Sequence, residues 1–288
     1  MDLISKIIED TKKKRELRNI DNNVILPEVQ NLLRLNPSLR EFLTEHDPKN
    51  VSRSGKYKEL IKEIRATLRR TYGVFVKSDI QLFNEKLEEL KVLTDNNTPL
   101  DDLKDATREI LRLHQSTRER LLMYPFVYSD LWKEIGTPTN ILDLGSGFNP
   151  ISYPFMKLNE VAYVAAELNQ SDCDILNKYF DIMKGYGLKG KAIQINLNQE
   201  EDIQRLSSFS ADVCFIFKVL DILKTGHKKD LLNIINSRII IASFPTETIS
   251  GKKMTFKRRI WLEKICEQSG WKYTIKEIGE EVFYIIRK

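Results

Sequence analysis

Cysteine and histidine are scarce in this sequence of 288 residues, which has three of each. The cysteines, at positions 173, 214 and 266, are isolated, and no pair has the CxxC spacing of a zinc or redox site. The sequence also lacks an HExxH motif and any cluster of metal-ligand residues. We therefore expect neither a disulfide framework nor a metal ion, and we interpret the cysteines as ordinary buried thiols.

Long apolar runs are absent as well. No stretch approaches the roughly 18 apolar residues of a membrane span. The first residues include acidic side chains and no continuous apolar segment before a cleavage site, unlike a secretory signal. A hydrophobic content of 41% is nevertheless enough for a packed core. We expect a folded cytoplasmic protein that does not act at a membrane and works as a monomer.

Positive charge is distributed unevenly, although the net charge is only +5. Between positions 49 and 77 there are nine Lys or Arg residues and two Glu. Within a predicted helix over 57–72, four of the basic residues recur at helical spacing and form one stripe, the basic stripe: Lys58, Lys62, Arg65 and Arg69. The stripe is a candidate for binding a nucleic-acid backbone, and a solvated helix face is an equally good interpretation.

The pattern of apolar residues changes near position 113. Before it the periodicity predicts only helices, at 3–18, 27–35, 57–72, 80–93 and 100–113. After a further predicted helix at 117–135, strands are expected at 140–144, 162–166, 192–195, 213–217, 239–242, 273–277 and 282–286. We expect an all-helical domain over 1–113, then a doubly wound, Rossmann-like α/β sheet over 114–288 with an antiparallel last strand after a hairpin at Gly279.

The strongest local motif is ILDLGSGFNP at 141–150, an apolar strand that leads directly into a glycine-rich turn. Gly145 and Gly147 allow a tight turn that a ligand can approach closely. A dinucleotide fingerprint needs Gly or Ala where this chain has Pro150. The turn therefore favours S-adenosylmethionine over a nicotinamide cofactor, with Asp143 beside the methionyl end, and a turn that binds nothing is the alternative.

Polar residues at the ends of later strands extend this candidate cofactor site. Glu167 follows Gly147 by 20 residues, where a carboxylate accepts hydrogen bonds from ribose hydroxyls. Asn196 and Asn198 are candidates for recognising the adenine, and a turn role is equally plausible for either. Lys218 ends the fourth predicted strand and is expected at the mouth of the pocket.

Five stretches occur in a distinctive order: HQSTRER at 114–120, the glycine turn at 141–150, 213–218, SFP at 243–245 and SGK at 250–252. In sequence and order they resemble the aminoglycoside-resistance 16S ribosomal RNA methyltransferases, which methylate guanine N7 in the decoding site. The resemblance covers roughly 113–288 and implies a class I methyltransferase domain. It implies that 1–113 is a helical RNA-docking domain.

Carried over by residue, the resemblance implies that Arg120 pairs with the methionine carboxylate and that Glu167 stands where the family has Asp. The planar guanidinium suits a carboxylate because it can donate two parallel hydrogen bonds. The chain departs from the family pattern at Ser146, usually Cys, and in the segment 248–254, which lacks part of a Gly- and Lys-rich loop.

Methylation of guanine N7 needs no general base, because N7 carries a free lone pair. Catalysis would then depend on placing the base against the methyl donor. The candidates for this task are Lys218, Ser243, Phe244 and Lys252, with Phe244 stacking on an extruded base and with Lys252 and Lys253 holding phosphates. Packing for Phe244 and solvation for the lysines are the alternatives.

The sequence leaves competing functions open. Within RNA methylation, the target is 16S RNA in the 30S subunit or, alternatively, a guanine of transfer RNA. A non-catalytic RNA-binding protein that retained the fold is a second possibility. A nicotinamide-dependent oxidoreductase on the same sheet is a third, which Pro150 and the 114–120 motif disfavour.

Overall fold

The computed structural model describes residues 3–14, 17, 18, 20–45, 48–69, 80–247 and 253–288. The chain divides into two compact units, Met1–Lys77 and Ser78–Lys288. No helix in the described segments is both long and apolar enough to cross a membrane.

The described part of the first unit is helical. Its helices are α1 (Leu3–Lys12), α2 (Asn22–Leu35), α3 (Pro37–Glu45), α4 (Pro48–Val51) and α5 (Gly55–Leu68). Ser54 caps α5, because its hydroxyl accepts a hydrogen bond from the backbone N–H of Tyr57 at 3.2 Å. Leu60, Ile61 and Ile64 lie on one buried face of α5, as their helical spacing predicts.

The second unit begins with four helices: α6 (Ile80–Asp95), α7 (Lys104–Arg112), α8 (Gln115–Arg120) and α9 (Tyr124–Ile135). Alternating strands and helices follow: β1 (Asn140–Leu144), α10 (Tyr153–Met156), β2 (Val161–Glu167), α11 (Gln170–Met183), β3 (Leu188–Gln194), α12 (Glu200–Arg205), β4 (Ser210–Phe217), α13 (Thr225–Ile234), β5 (Asn236–Pro245), α14 (Ile260–Gln268), β6 (Lys272–Ile278) and β7 (Glu281–Arg287). Each expected strand is present at or near its predicted position.

The strands form one sheet in the order β3-β2-β1-β4-β5-β7-β6. The first five strands are parallel, and β7 is antiparallel to both of its neighbours. Successive residues of β1 point to opposite faces of the sheet. Ile141 lies in the core cluster on one face and Leu142 in the cluster on the other. The predicted doubly wound sheet with an antiparallel last strand is therefore confirmed.

Helices α6 and α7 belong to the same compact unit as the sheet. Phe83, Leu87 and Leu90 of α6 share a core cluster with Tyr163 of β2. The ring of Phe83 lies 4.3 Å from the ring of Phe148, directly after the glycine turn. The division between the compact units therefore falls earlier in the chain than the expected domain boundary after position 113.

One expected helix is divided in two. The interval predicted as a single helix over 117–135 contains the end of α8 at Arg120 and the start of α9 at Tyr124. Pro125 lies in the first turn of α9, where its missing N–H costs no helical hydrogen bond. Arg120 consequently stands at a helix end instead of mid-helix.

The cysteines are buried, as predicted. Cys173, Cys214 and Cys266 are each 0% exposed and form no disulfide. Burial raises the pKa of the Cys214 thiol well above its ordinary value and that of Cys266 to about 11. All are packing residues of the second unit.

Candidate active site

The glycine turn after β1 accepts no side chain at its two glycines. Gly145 has a φ of +60° and Gly147 a φ of +49°, in the left-handed region that glycine adopts readily. A Cβ at Gly145 would lie 2.5 Å from Cγ2 of Val219, and one at Gly147 would lie 3.1 Å from Cε1 of His114. The turn is thus packed from two sides, by the segment after β4 and by the start of α8.

Glu167, at the end of β2, fastens this turn. Its Oε2 accepts a hydrogen bond from the backbone N–H of Gly147 at 2.7 Å, and its Oε1 accepts one from Leu168 at 2.8 Å. Burial raises the pKa of the carboxyl, while these amides act in the opposite direction. Each carboxylate oxygen can still accept a further hydrogen bond, so the expected ribose contact remains a prediction.

Asp143 lies beneath the turn, fully buried on β1. Its Oδ2 accepts hydrogen bonds from Nδ2 of Asn149 at 2.9 Å and from the hydroxyl of Tyr163 at 2.6 Å. Its Oδ1 is buried and has no hydrogen-bond partner among the described residues. Burial raises the pKa of this carboxyl to about 6. An unsatisfied buried acceptor of this kind is a ready partner for a donor group.

Helix α8 crosses the carboxyl edge of the sheet. His114, immediately before the helix, packs on Gly147 after β1. At the other end, the guanidinium carbon of Arg120 lies 5.1 Å from the ring centre of Phe217, the last residue of β4. The helix therefore connects the glycine turn with the ends of the neighbouring strands.

Arg120 is anchored on one side only. Its Nε donates a hydrogen bond to Oε1 of Glu281 at 2.7 Å, and both side chains are buried. Its Nη2 is buried without a hydrogen-bond partner of good geometry in the described part of the chain. The hydroxyl of Tyr124 is buried beside it, where the guanidinium lowers the pKa of Tyr124 against the larger effect of burial. Nη2 therefore has the Tyr124 hydroxyl beside it and no carboxylate partner among the described residues.

Glu281 is the centre of a charged group that we call the Glu281 cluster, with Arg120, Lys218, Ser243 and Glu119 as its other members. Nζ of Lys218 lies 3.1 Å from Oε1 of Glu281 and 2.8 Å from Oε2 of Glu119. The hydroxyl of Ser243 donates to Oε2 of Glu281 at 2.7 Å. Burial alone would raise the pKa of Glu281, but Arg120 and Lys218 hold it below its usual value.

Sequence reasoning identified Arg120, Lys218 and Ser243 but missed Glu281. Glu281 is the first residue of β7 and lies opposite Pro245 of β5. Nothing local marks a glutamate after a turn as a buried partner of an arginine 161 residues earlier. Only the strand pairing brings the two side chains together.

Comparison with known protein families shows the family to which the chain belongs. A family model described as ribosomal RNA methyltransferase (FmrO) matches residues 40–285. The chain belongs to this ribosomal RNA methyltransferase family. Membership confirms the predicted enzyme class and excludes the nicotinamide-dependent alternative.

Curated relatives of this methyltransferase share a quarter of their residues with it. A 16S rRNA (guanine(1405)-N(7))-methyltransferase of Proteus mirabilis is 26% identical over 252 residues, which cover 80% of this chain and 85% of the relative. The enzymes of the same name from Micromonospora echinospora and Frankia casuarinae are 25% and 24% identical over 244 residues. The alignment with the Micromonospora enzyme covers 83% of this chain and 86% of the relative, and the Frankia alignment covers 83% of each.

Solved structures show the same fold. The 16S rRNA methyltransferase RmtF in complex with S-adenosyl-L-homocysteine matches with a TM-score of 0.73 at 21% identity, covering 100% of this chain and 99% of that one. The 16S rRNA methylase RmtB matches with a TM-score of 0.65 at 18% identity, covering 99% and 98%. The Rossmann-like methyltransferase fold is therefore confirmed for this chain.

Phe244 of the methyltransferase occupies a different place from the one expected. It is 0% exposed and packs edge-on against Trp261 and Tyr284. Neighbouring residues of a strand point to opposite faces, so Ser243 reaches the Glu281 cluster while Phe244 enters the core behind it. The ring has no exposed face for a base, which corrects the stacking role and supports the alternative of packing.

The asparagines after β3 shape the backbone. Oδ1 of Asn196 accepts from the N–H of Asn198 at 3.0 Å, and Oδ1 of Asn198 accepts from the N–H of Lys224 at 3.1 Å. Both side-chain carbonyl oxygens therefore stabilise the backbone by accepting these hydrogen bonds. Each carbonyl oxygen can still accept a second hydrogen bond and each side-chain NH2 can donate, so the adenine contacts remain predictions.

The predicted RNA-binding lysines after β5 are described only in part. Lys252 lies outside the described residues, as do Ser250 and Gly251 of the same motif. Lys253 is exposed and forms an isolated β-bridge with Glu247. Its predicted contact with phosphate remains open.

The basic stripe of the first unit is only partly available to a partner. Lys58, Lys62 and Arg69 are exposed. Arg65 is half-buried and donates hydrogen bonds to the backbone carbonyls of Thr11, at 3.3 Å, and Asp10. Because α1 ends at Lys12, this guanidinium satisfies carbonyls of its last turn. The role of Arg65 in holding α1 against α5 corrects its assignment to a purely surface stripe.

Proposed function

We propose that this methyltransferase transfers the methyl group of S-adenosylmethionine to N7 of a guanine in 16S ribosomal RNA, with the 30S subunit as its substrate. Family membership gives the class of substrate, and the names of the curated relatives support the base and the atom. The observation that carries the assignment in this chain is the buried, half-satisfied guanidinium of Arg120 at the carboxyl edge of the sheet.

The donor set at the carboxyl edge fits S-adenosylmethionine. The unsatisfied Nη2 of Arg120 matches the methionine carboxylate of the cofactor, because a guanidinium pairs strongly with carboxylates. Gly145 and Gly147 shape the turn beside these donors, and Val219 and His114 pack where their Cβ atoms would lie. The carboxylate of Glu167 stands at the end of β2, where ribose hydroxyls are bound in open α/β sheets.

When bound, the cofactor supplies an electrophilic methyl group on a sulfonium. The protein then has to orient the guanine and exclude water, since the N7 lone pair needs no deprotonation before attack. Consistent with this, the two cations of the Glu281 cluster, Arg120 and Lys218, are both paired with carboxylates. Arg120, Lys218 and Ser243 act in binding and orientation.

The first unit is proposed as the RNA-docking part. Exposed Lys58, Lys62 and Arg69 lie along α5 and its C-cap and can neutralise phosphates in sequence-independent contacts. The helices of 80–113 pack with the sheet, so the docking function is assigned to the helices that precede them. The protein is proposed to act on the subunit as a monomer.

The experiment compares RNA substrates directly. Purified protein is incubated with methyl-labelled S-adenosylmethionine and with intact 30S subunits, deproteinised 16S RNA or transfer RNA, and methylated nucleosides are mapped by mass spectrometry. The expected result is 7-methylguanine at one position of 16S RNA from 30S subunits and none in transfer RNA. Label in transfer RNA alone, or on an atom other than N7, would contradict the proposal.

A further inference from the structure

Phe256 is an exposed aromatic residue in the segment between β5 and α14. It is 84% exposed, and Ile260, four residues later at the start of α14, is 54% exposed. Neither residue was identified by sequence reasoning, which placed the base-stacking aromatic at Phe244.

The backbone on both sides of Phe256 is held in place. The N–H of Met254 donates to the carbonyl of Thr246 at 2.7 Å, and the N–H of Arg259 donates to the hydroxyl of Tyr284 at 2.6 Å. The Arg259 guanidinium donates to the Lys257 carbonyl at 2.8 Å. Phe256 is therefore presented to solvent by a fixed segment, which lowers the entropy cost of binding a partner.

The anchors of this segment place it at the carboxyl edge of the sheet. Thr246 directly follows β5, and Asp221, whose Oδ2 accepts from Nε of Arg259 at 2.9 Å, follows β4. Ser243 of the Glu281 cluster lies near the end of the same strand β5. Phe256 thus stands at the edge where the glycine turn and the cluster are, and where open α/β sheets bind their ligands.

Cationic residues lie close to Phe256 in the sequence. Lys253 is exposed, and Lys257 and Arg258 directly follow Phe256. Lys257 pairs with Glu277 and Arg258 with Glu263, and both cationic side chains keep exposed surface. An exposed aromatic face among cations is the arrangement with which proteins bind unpaired nucleotides, since the ring stacks on a base and the cations face phosphates.

We propose that Phe256 is the stacking platform for an unpaired base of the ribosomal RNA substrate at the active-site edge. The inference rests on the proposed function and names a residue that positions the substrate in it. Stacking tolerates any base because every base has an aromatic face, so Phe256 contributes affinity and orientation instead of base identity. The buried Phe244 supports this edge from within the core.

The test compares substitutions at Phe256 in single-turnover methylation of 30S subunits. Phe256→Ala and Phe256→Leu are expected to lower the rate or the affinity by roughly 10-fold or more, the scale of one lost stacking contact. Phe256→Trp is expected to keep the wild-type rate and affinity, because tryptophan retains an aromatic face. Leucine retains only the apolar bulk. Phe126→Ala, at a phenylalanine of α9 that is 62% exposed, is the matched control and should behave like the wild type.

Two further measurements make the outcome decisive. Calorimetry with S-adenosylhomocysteine and thermal unfolding should be unchanged in every Phe256 variant, which separates stacking from folding and from cofactor binding. Equal rates and equal 30S affinities for wild type, Phe256→Ala and Phe256→Leu would overturn the proposal. If wild-type protein leaves 30S subunits unmethylated, the proposed function fails instead. Filter binding of 30S subunits then tests the stacking role of Phe256. Unchanged affinity of Phe256→Ala would overturn that role, and a roughly 10-fold loss of affinity would support it.

Discussion

Nε of Arg120 and Oε1 of Glu281 are joined by a hydrogen bond of 2.7 Å between residues 161 positions apart in the chain. The bond ties α8, which crosses the glycine turn, to β7, the antiparallel strand inserted between β5 and β6. Because both partners are buried, removal of Glu281 would leave the guanidinium without its carboxylate, and removal of Arg120 would leave Lys218 as the cation paired with Glu281. The pair therefore holds Arg120, the arginine proposed to bind the cofactor, in place and supports the fold at the same point.

Removal of the shared carboxylate should be costly. Glu281→Ala leaves Arg120 and Lys218 without their common partner, and we expect the free energy of unfolding to fall by about 3 to 5 kcal/mol. Ser243→Ala removes one hydrogen bond to the same carboxylate and should cost about 1 kcal/mol. Urea unfolding of both variants measures the difference, and equal losses would show that the charge of Glu281 is not what matters.

Arg120 should dominate the binding of the carboxylate end of the cofactor. We expect Arg120→Lys, which keeps the charge but loses the planar fork, to weaken S-adenosylhomocysteine binding by about 1 to 3 kcal/mol. Arg118→Ala, at an exposed position of the same helix, is the matched control and should bind normally. Calorimetry on the folded variants decides. Wild-type affinity in Arg120→Lys would show that the unsatisfied Nη2 does not face the cofactor.

Gly145 should resist even the smallest side chain. Gly145→Ala combines a left-handed backbone, which costs roughly 1 to 2 kcal/mol, with a Cβ placed 2.5 Å from Cγ2 of Val219. Adding Val219→Ala should recover the part due to the clash and not the part due to the backbone. Gly226→Ala is the control, because a Cβ at that position in α13 would meet no other part of the protein within 4 Å. Thermal unfolding should show a large loss for Gly145→Ala and none for Gly226→Ala.

Two buried groups should make opposite contributions to acid stability. Burial lowers the pKa of His114 from 6.5 to about 4, so the unfolded chain binds its proton more readily. The folded state should therefore lose about 3 kcal/mol from this residue as the pH falls from 6.5 to 4. His114→Gln should abolish that loss, as measured by urea unfolding at pH 7 and pH 4.

Asp143 should change the stability in the opposite direction as the pH falls, and it serves as the control. Its pKa is raised from 3.8 to about 6, so the folded state binds the proton more readily and gains stability as the pH falls through this range. Asp143→Asn removes this gain, and its acid loss should be steeper than that of the wild type. A shallower loss in Asp143→Asn than in His114→Gln would contradict both assignments.

The basic stripe should determine part of the salt dependence of RNA binding. Changing exposed Lys58 and Lys62 to Gln is expected to make the slope of log affinity against log salt less steep by about 1 to 2, because each neutralised phosphate releases counterions. Arg65 is kept, since its loss would release the end of α1. Lys133 and Lys189 of the second unit, changed together, are the control. An unchanged slope in the stripe variant would identify it as a solvated face.

The sequence was sufficient for features that depend on local pattern. The strand at 140–144 and the two glycines after it are specified by neighbouring residues, because apolar runs and left-handed turns leave local signatures. The hairpin at Gly279, with a φ of +60°, was predictable for the same reason. Glu167 was placed correctly at the end of its strand from the apolar run that precedes it and from its spacing to Gly147.

Features that depend on pairing between distant segments were not predictable. Glu281 acquires its role only when β7 is inserted beside β5, and the expected strand at 282–286 began one residue too late to include it. Phe244 was expected after the strand at 239–242, in a position open to a base, but β5 extends to Pro245 and carries this side chain into the core. Arg65 was assigned to the basic stripe because its contact with the backbone of α1 exists only when α1 packs against α5.

The enclosed cysteines make this enzyme suited to site-specific labelling. Thiol reagents attack thiolates, and Cys173, Cys214 and Cys266 have neither solvent access nor, for Cys214 and Cys266, a thiolate near neutral pH. A cysteine introduced at an exposed position such as Val92, which is 60% exposed, would then be the preferred attachment point for a fluorophore. Encounters between the labelled enzyme and a ribosomal subunit could be followed one molecule at a time without first replacing a native cysteine.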